Sequence, residues 1–141
     1  MNEQDITGTI EKAVASLFEH QPNIVEFTAQ TKQTEWNLAY HLAVELGALF
    51  PALNCDIEVL KRGYGYGNRR PDVVFHTRGT HKSNFLVIEI KRNGKPADVK
   101  RDINKIRGHW FRKPLRYQFG ASINLRLDGK HEIQVLKNTA R

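Results

Sequence analysis

The sequence predicts a single layered α/β domain of the α+β kind, spanning residues 1–141, with a mixed central β-sheet flanked by helices. Its 141 residues are enough for one hydrophobic core. Hydrophobic residues make up 40% of the chain and charged residues 26%, which is typical of globular proteins. The hydrophobic patterns occur in the order helix, helix, strand, strand, strand, helix, strand, strand, which favours a sheet covered by helices.

Two helices are predicted before the first strand. Apolar residues recur at helical spacing from about Ile6 to His20. A second helix is predicted from Thr34 to Phe50, with Thr34 as its N-cap, and its broad apolar surface indicates burial on more than one side. The intervening stretch from Ile24 to Phe27 fits either a short helical turn or an extended segment.

The later elements are assigned from alternation and from turn chemistry. Alternating apolar residues predict a first strand from Cys55 to Lys61, and apolar residues at helical spacing predict a helix from Ala97 to Trp110. Two further strands, Tyr117 to Leu127 and His131 to Leu136, are predicted on either side of an Asp-Gly hairpin turn. Gly120, inside the first of these two, predicts a bulge or a close approach of another part of the backbone.

The most informative stretch of the chain is an apolar hairpin from Pro71 to Lys91. Its two ends are short runs rich in β-branched and aromatic residues, and a polar segment containing glycine lies between them, which predicts two antiparallel strands. Asp72 begins the first strand, and Glu89 and Lys91 end the second on one face of the sheet. The three side chains are therefore expected to meet, although they are far apart in sequence.

Two carboxylates at this position require a positive partner. Asp72 and Glu89 would repel each other, and Lys91 offsets only one of their charges. A hard divalent cation, Mg²⁺ or Mn²⁺, would offset the rest, since Mg²⁺ is usually bound by one or two carboxylates, water and substrate phosphate. Such a site can polarise a phosphate and activate a water molecule beside Lys91. The plainer explanation of the same residues is a surface ion pair at a strand end.

Pro71-Asp72 and Glu89-Ile90-Lys91, on two adjacent apolar strands, resemble the motif of the PD-(D/E)XK, or restriction-endonuclease-like, nuclease superfamily. The resemblance extends from about Glu35 to Leu127. It implies the core fold of that superfamily and a Mg²⁺-dependent hydrolysis of DNA that leaves 5′-phosphate and 3′-hydroxyl ends. It also implies that Asp72 and Glu89 bind the metal together with the Ile90 carbonyl, and that Lys91 orients or activates the attacking water.

The same resemblance implies roles for two helices. Many families of the superfamily carry an acidic residue on the helix before the sheet, and Glu35 matches this position and would support the metal shell. The alternative is a first-turn Glu that interacts only with the helix dipole, and Glu45 is the rival candidate. After the ExK strand, the segment from Asp102 to Lys105 is similar to a helix containing Lys or Asp that many members have at this place.

Basic residues are concentrated in the second half of the chain. Residues 1–60 carry two Lys/Arg and nine Asp/Glu, a net charge of −7, whereas residues 61–141 carry 20 and six, a net charge of +14. Charge alone also fits an anionic membrane surface or plain solubility, but its concentration around the predicted site favours DNA. The candidate DNA contacts are Lys100, Arg101 and Lys105 on the predicted helix, and Tyr64, Tyr66, Arg69 and Arg70 in a glycine-rich segment. A solvated helix face and a plain hairpin tip are the respective alternatives.

Hydropathy, the N-terminal sequence and the cysteine content predict the compartment and the partners of the protein. No apolar run approaches membrane-spanning length, and the acidic, polar N-terminus is unlike a secretory signal, so no membrane partner is predicted. The single cysteine, Cys55, fits a reducing cytoplasm. The alternative to a nuclease is a non-cleaving nucleic-acid-binding module on the same fold, and an RNA-directed enzyme is a third candidate. Because the small chain shows no specificity domain, a homodimer or a partner protein is expected to supply one.

Overall fold

The computed structural model describes residues 1–27, 32–57 and 70–140, without the side chains of residues 32–34. Three helices come first, α1 (Glu3–His20), α2 (Ile24–Phe27) and α3 (Lys32–Leu49). The remaining elements are β1 (Asn54–Ile57), β2 (Val73–His76), β3 (Leu86–Arg92), α4 (Pro96–Lys105), a π-helical turn (Ile106–Trp110), β4 (Phe119–Leu125) and β5 (Glu132–Lys137).

The five strands form one mixed sheet in the order β1-β2-β3-β4-β5. β3 and β4 are parallel, and the other neighbouring pairs are antiparallel. α4 and the π-helical turn form the crossover that a parallel pair of strands requires. This five-stranded mixed sheet with helices beside it confirms the predicted fold class.

Helices cover both faces of the sheet. On one face α1 and α3 pack against alternate strand residues such as Phe75 and Ile88. On the other face the π-helical turn packs against Val74 and Val87. Because side chains alternate along a strand, Glu89 lies on the same face as Val87. The candidate site is therefore on the side of α4 and the π-helical turn.

The helices begin and end at positions that differ from the predictions. α1 begins at Glu3 because Asn2 caps it: the Asn2 side chain accepts a hydrogen bond from the Asp5 N–H, and the Asp5 carboxylate accepts one from the Asn2 N–H, both at 2.9 Å. α3 begins at Lys32, so the prediction of Thr34 as an N-cap was wrong. The undecided segment before it is helical. No helix in the described ranges is long and apolar enough to cross a membrane.

The strand predictions are confirmed in part. β1 ends at Ile57 within the described residues, and the rest of the strand predicted to reach Lys61 lies outside them. Gly120 forms no bulge, since β4 pairs with both of its neighbours in a continuous register. A side chain, and not the backbone that was predicted, approaches Gly120 closely: a Cβ there would lie 2.3 Å from Cγ2 of Ile106.

Candidate active site

β2 and β3 bring Asp72 and Glu89 to the same place on the sheet. Val73 pairs with Ile88 in the antiparallel register, so the next step along the ladder sets Asp72 opposite Glu89. The Oδ2 atom of Asp72 accepts a hydrogen bond from the Ile90 N–H at 2.6 Å. This bond fixes the direction of one carboxylate relative to the strand that carries the other.

Glu89 is buried, with 1% of its surface exposed, and both of its carboxylate oxygens have partners. Oε1 accepts a hydrogen bond from the indole N–H of Trp110 at 2.9 Å, and Oε2 lies 3.1 Å from Nζ of Lys105. Burial and then the charge of Asp72 raise the pKa of Glu89 to about 8, although Lys105 opposes this shift. The groups around Glu89 therefore compensate its negative charge only in part.

α4 adds a third acid and a second lysine to the site. The helix starts at Pro96, and the Asp98 carboxylate accepts a hydrogen bond from the Lys95 N–H at 3.0 Å. One turn later, Asp102 is 2% exposed, and burial raises the pKa of its carboxyl against the opposing charge of Lys91. Oδ1 of Asp102 lies 3.5 Å from Nζ of Lys91 and 4.0 Å from Nζ of Lys105.

Sequence reasoning did not anticipate that Asp102 and Lys105 turn toward the sheet. Lys105 was placed on the exposed face of the helix with Lys100 and Arg101, whereas its ammonium contacts the buried Glu89. The sequence did contain an indication of this orientation. Asp102 is four residues before the buried Ile106, so the two residues lie on the same helix face. A charged residue at such a position is rare unless it is paired.

Lys91 contacts Asp102, while Lys105 contacts Glu89. Burial by itself lowers the pKa of Lys91, but the charges of Asp102, Asp72 and Glu89 outweigh it and raise the pKa. The Lys91 side chain is therefore an ammonium at neutral pH. It can orient a water molecule and stabilise negative charge, but it has no free electron pair with which to accept a proton.

An open cleft of about 450 Å³ gives access to these charges. It extends along α4 and is lined by Lys91, Asp98, Arg101, Asp102, Asn104, Lys105 and His109. Three of the seven lining residues are Lys or Arg, which suits a phosphate group. The two lysines that contact the acids thus also line the accessible wall.

The other predicted DNA contacts differ in their surroundings. Lys100 is exposed, and Arg101 is exposed but pairs with Asp98 at 2.6 Å. The guanidinium of Arg70 lies 5.9 Å from the ring centroid of Trp36 on α3. The remaining candidates, Tyr64, Tyr66 and Arg69, lie outside the described residues.

Glu35 lies in the first turn of α3 and is half-buried. The buried residues of α3 belong to the core on the opposite face of the sheet from the Glu89 side chain. The carboxylates whose charges raise the pKa of Glu89 are those of Asp72 and Asp102. The role of Glu35 in a metal shell stays a prediction. The Oε1 atom of its rival Glu45 lies 2.7 Å from Nδ1 of His20.

The donor chemistry at Asp72 and Glu89 fits a hard cation. Across residues 1–27, 32–57 and 70–140 no group of three His, Cys, Asp or Glu side chains is placed to hold a metal ion. A Mg²⁺ site needs fewer than three such side chains, because one or two carboxylates usually suffice beside water and substrate oxygens. Participation of the Ile90 carbonyl stays a prediction.

The chain was also compared with known proteins. No protein-family model, curated protein or solved structure matches it.

Proposed function

We propose that the protein is a nuclease of the PD-(D/E)XK type that hydrolyses DNA phosphodiester bonds with the help of Mg²⁺ or Mn²⁺. The observation that supports this most is the meeting of Asp72 and Glu89 from adjacent antiparallel strands, next to a cleft lined by lysines. A surface ion pair at a strand end does not account for it, because Glu89 is buried beside a second acid. Such a pair is unfavourable until a cation balances it.

Asp72 and Glu89 are the residues that would hold the cation, which in such sites polarises the phosphate and lowers the pKa of bound water. The Ile90 N–H and the Trp110 indole each hold one oxygen of these carboxylates. Fixed hydrogen bonds of this kind orient ligands before the substrate arrives. Lys91, as an ammonium, orients the attacking water and offsets the negative charge that develops on the phosphoryl oxygens.

The cleft along α4 supports a nucleic acid as the substrate. Lys100 and Arg101 lie on the exposed side of the same helix, where they can contact phosphates on either side of the scissile bond. Contacts of this type position the backbone without reading the sequence. A second copy of the chain, or a partner protein, is the expected source of any cleavage specificity.

A non-cleaving DNA-binding module on the same fold is the second candidate function. One observation favours it: both oxygens of Glu89 already have partners, Trp110 and Lys105. In that case the contact between Glu89 and Lys105 is a permanent internal ion pair. The basic cleft would then bind phosphates without cutting them.

Incubation with plasmid, linear and branched DNA, in Mg²⁺, in Mn²⁺ and in EDTA, separates the two functions. A nuclease cuts only with the cation, and Glu89→Gln and Lys91→Ala should each reduce cleavage by orders of magnitude. Metal-free DNA binding should hold or tighten in Glu89→Gln, which removes the negative charge that Glu89 carries when it is ionised, and should weaken in Lys91→Ala. Glu11→Gln, at an exposed position of α1, is the matched control and should cut like the parent protein.

The outcomes of these assays distinguish the candidate functions. DNA that is bound but never cut, with the same two binding shifts, supports the binding module. Cation-dependent cutting that survives both substitutions means that the chemistry lies elsewhere on the chain or in a contaminant. RNA of matched sequence, cut faster than DNA, would identify an RNA-directed enzyme.

A further inference from the structure

Lys105 contacts the buried carboxylate of Glu89 and also lines the cleft. Its Nζ lies 3.1 Å from Oε2 of Glu89, and its side chain is 28% exposed whereas that of Glu89 is 1% exposed. The ammonium lines the cleft, and the carboxylate does not. A group that approaches this oxygen from the cleft therefore meets the Lys105 ammonium.

Asp102 offers an unused acceptor beside the same ammonium. Its Oδ1 lies 3.5 Å from Nζ of Lys91 and 4.0 Å from Nζ of Lys105. Its Oδ2 is buried and has no hydrogen-bond partner among the residues that the structure describes. The great majority of buried polar atoms are paired, so an unpaired carboxylate oxygen requires an explanation. The Asp102 carboxylate can therefore accept a further hydrogen bond.

We propose that a divalent cation and Lys105 compete for Oε2 of Glu89, and that Asp102 receives the Lys105 ammonium when the cation takes its place. This inference rests on the proposed metal site at Asp72 and Glu89. Two cations at one carboxylate oxygen repel each other, so the binding of each one weakens the binding of the other.

The displacement needs no movement of the backbone. Lysine carries its charge on a flexible four-carbon stem, and the ammonium is already 4.0 Å from Oδ1 of Asp102. Trp110 can keep its hydrogen bond to Oε1 of Glu89, because the exchange concerns the other oxygen. After the exchange Asp102 holds the ammonium groups of both Lys91 and Lys105 at the cleft wall, where phosphate has access to them.

Mn²⁺ binding without nucleic acid tests the competition, because the electron paramagnetic resonance signal of free Mn²⁺ gives the dissociation constant directly. Lys105→Met removes the competing charge and keeps the length of the side chain, so it should lower the dissociation constant by about tenfold or more. Lys100→Met is the matched control on the same helix. Its charge is exposed and screened, so it should change the constant by less than about twofold.

Asp102→Asn tests the receiving role through a double-mutant cycle. With Lys105 present, the substitution should weaken Mn²⁺ binding, because the displaced ammonium no longer has its acceptor. In the Lys105→Met background the same substitution should have little effect. Circular dichroism of every variant checks the fold, and Lys105→Gln serves in place of Lys105→Met if the latter fails to fold.

The results distinguish this inference from the proposed function. If the parent protein binds Mn²⁺ and Lys105→Met shifts the constant no more than Lys100→Met does, the competition is refuted while the metal site stands. If Asp102→Asn weakens binding equally in both backgrounds, Asp102 acts on the cation directly and not through Lys105, which refutes its receiving role. If neither the parent protein nor Lys105→Met binds Mn²⁺, the proposed metal site is wrong and the inference fails with it.

Discussion

Replacing Glu89 with glutamine should stabilise the metal-free protein at neutral pH and flatten the pH dependence of its stability. Burial, followed by the charge of Asp72, raises the pKa of Glu89 from 4.5 to about 8 in the folded protein. Between these two values the folded state binds more protons than the unfolded state, in which the carboxyl group is ionised. The contribution of Glu89 to the free energy of unfolding is therefore complete below about pH 4.5 and is lost as the pH rises toward 8.

The size of the effect follows from the same shift. One pKa unit corresponds to about 1.4 kcal/mol, so the burial of Glu89 costs roughly 3 kcal/mol at pH 7. Glutamine cannot ionise, and its oxygen can still accept the hydrogen bond from Trp110. Its amide group interacts less well with Lys105 than a carboxylate does. We therefore expect a net gain of roughly 1 to 3 kcal/mol at pH 7 and almost none at pH 4.

Urea denaturation in EDTA, followed by circular dichroism from pH 4 to pH 8, measures both effects. Glu11→Gln, which removes an exposed carboxylate from α1, should follow the parent protein across the range. The reasoning is refuted if Glu89→Gln is less stable than the parent protein at every pH and the parent protein does not lose stability toward pH 8. Glu89 would then be an ionised partner of Lys105 that strengthens the fold.

Two further predictions concern the basic face and the close packing behind it. Removing the charges of Lys100 and Arg101 together should reduce the slope of log affinity for duplex DNA against log salt by about 0.9 for each phosphate that the variant no longer neutralises; an unchanged slope in a filter-binding titration would place the DNA elsewhere. Gly120→Ala should lower the free energy of unfolding by roughly 1 to 3 kcal/mol, because overpacking a buried site is destabilising. The added methyl group would lie 2.3 Å from a buried isoleucine of the π-helical turn. Gly108→Ala is the control, because among the described residues no atom beyond its chain neighbours and its own helix backbone lies within 4 Å of the new methyl group. Equal thermal midpoints for the two variants would contradict the prediction.

The central hairpin could be predicted from the sequence because its physical determinants are local. β2 and β3 are short apolar runs joined by a polar segment, and alternation fixes which side chains share a face. Once the strands pair as antiparallel neighbours, Asp72 must lie near Glu89. The order of the elements around the hairpin was predictable for the same reason, since each element has its own hydrophobic period.

The orientation of α4 could not be predicted in this way, because it depends on long-range pairing. Hydrophobicity alone predicts that Ile103 faces the sheet and that its neighbour Asp102 faces solvent. The structure buries Asp102 and leaves Ile103 partly exposed. The nearby ammonium groups of Lys91 and Lys105 offset the cost of this burial. Lys105 follows Asp102 by three residues on the same helix, whereas Lys91 comes close only through the sheet and the crossover.

The charges in the site explain why one carboxyl group has a raised pKa. Asp72, Glu89 and Asp102 face Lys91 and Lys105, so full ionisation leaves one negative charge in a largely buried place. Retaining a proton on Glu89 removes that charge, and so does Glu89→Gln. A divalent cation would instead turn the balance to one positive charge, which matches the single negative charge of a phosphodiester group. The same excess carboxylate that is expected to weaken the metal-free fold at neutral pH would thus suit this cleft to the proposed cation and nucleic-acid backbone together.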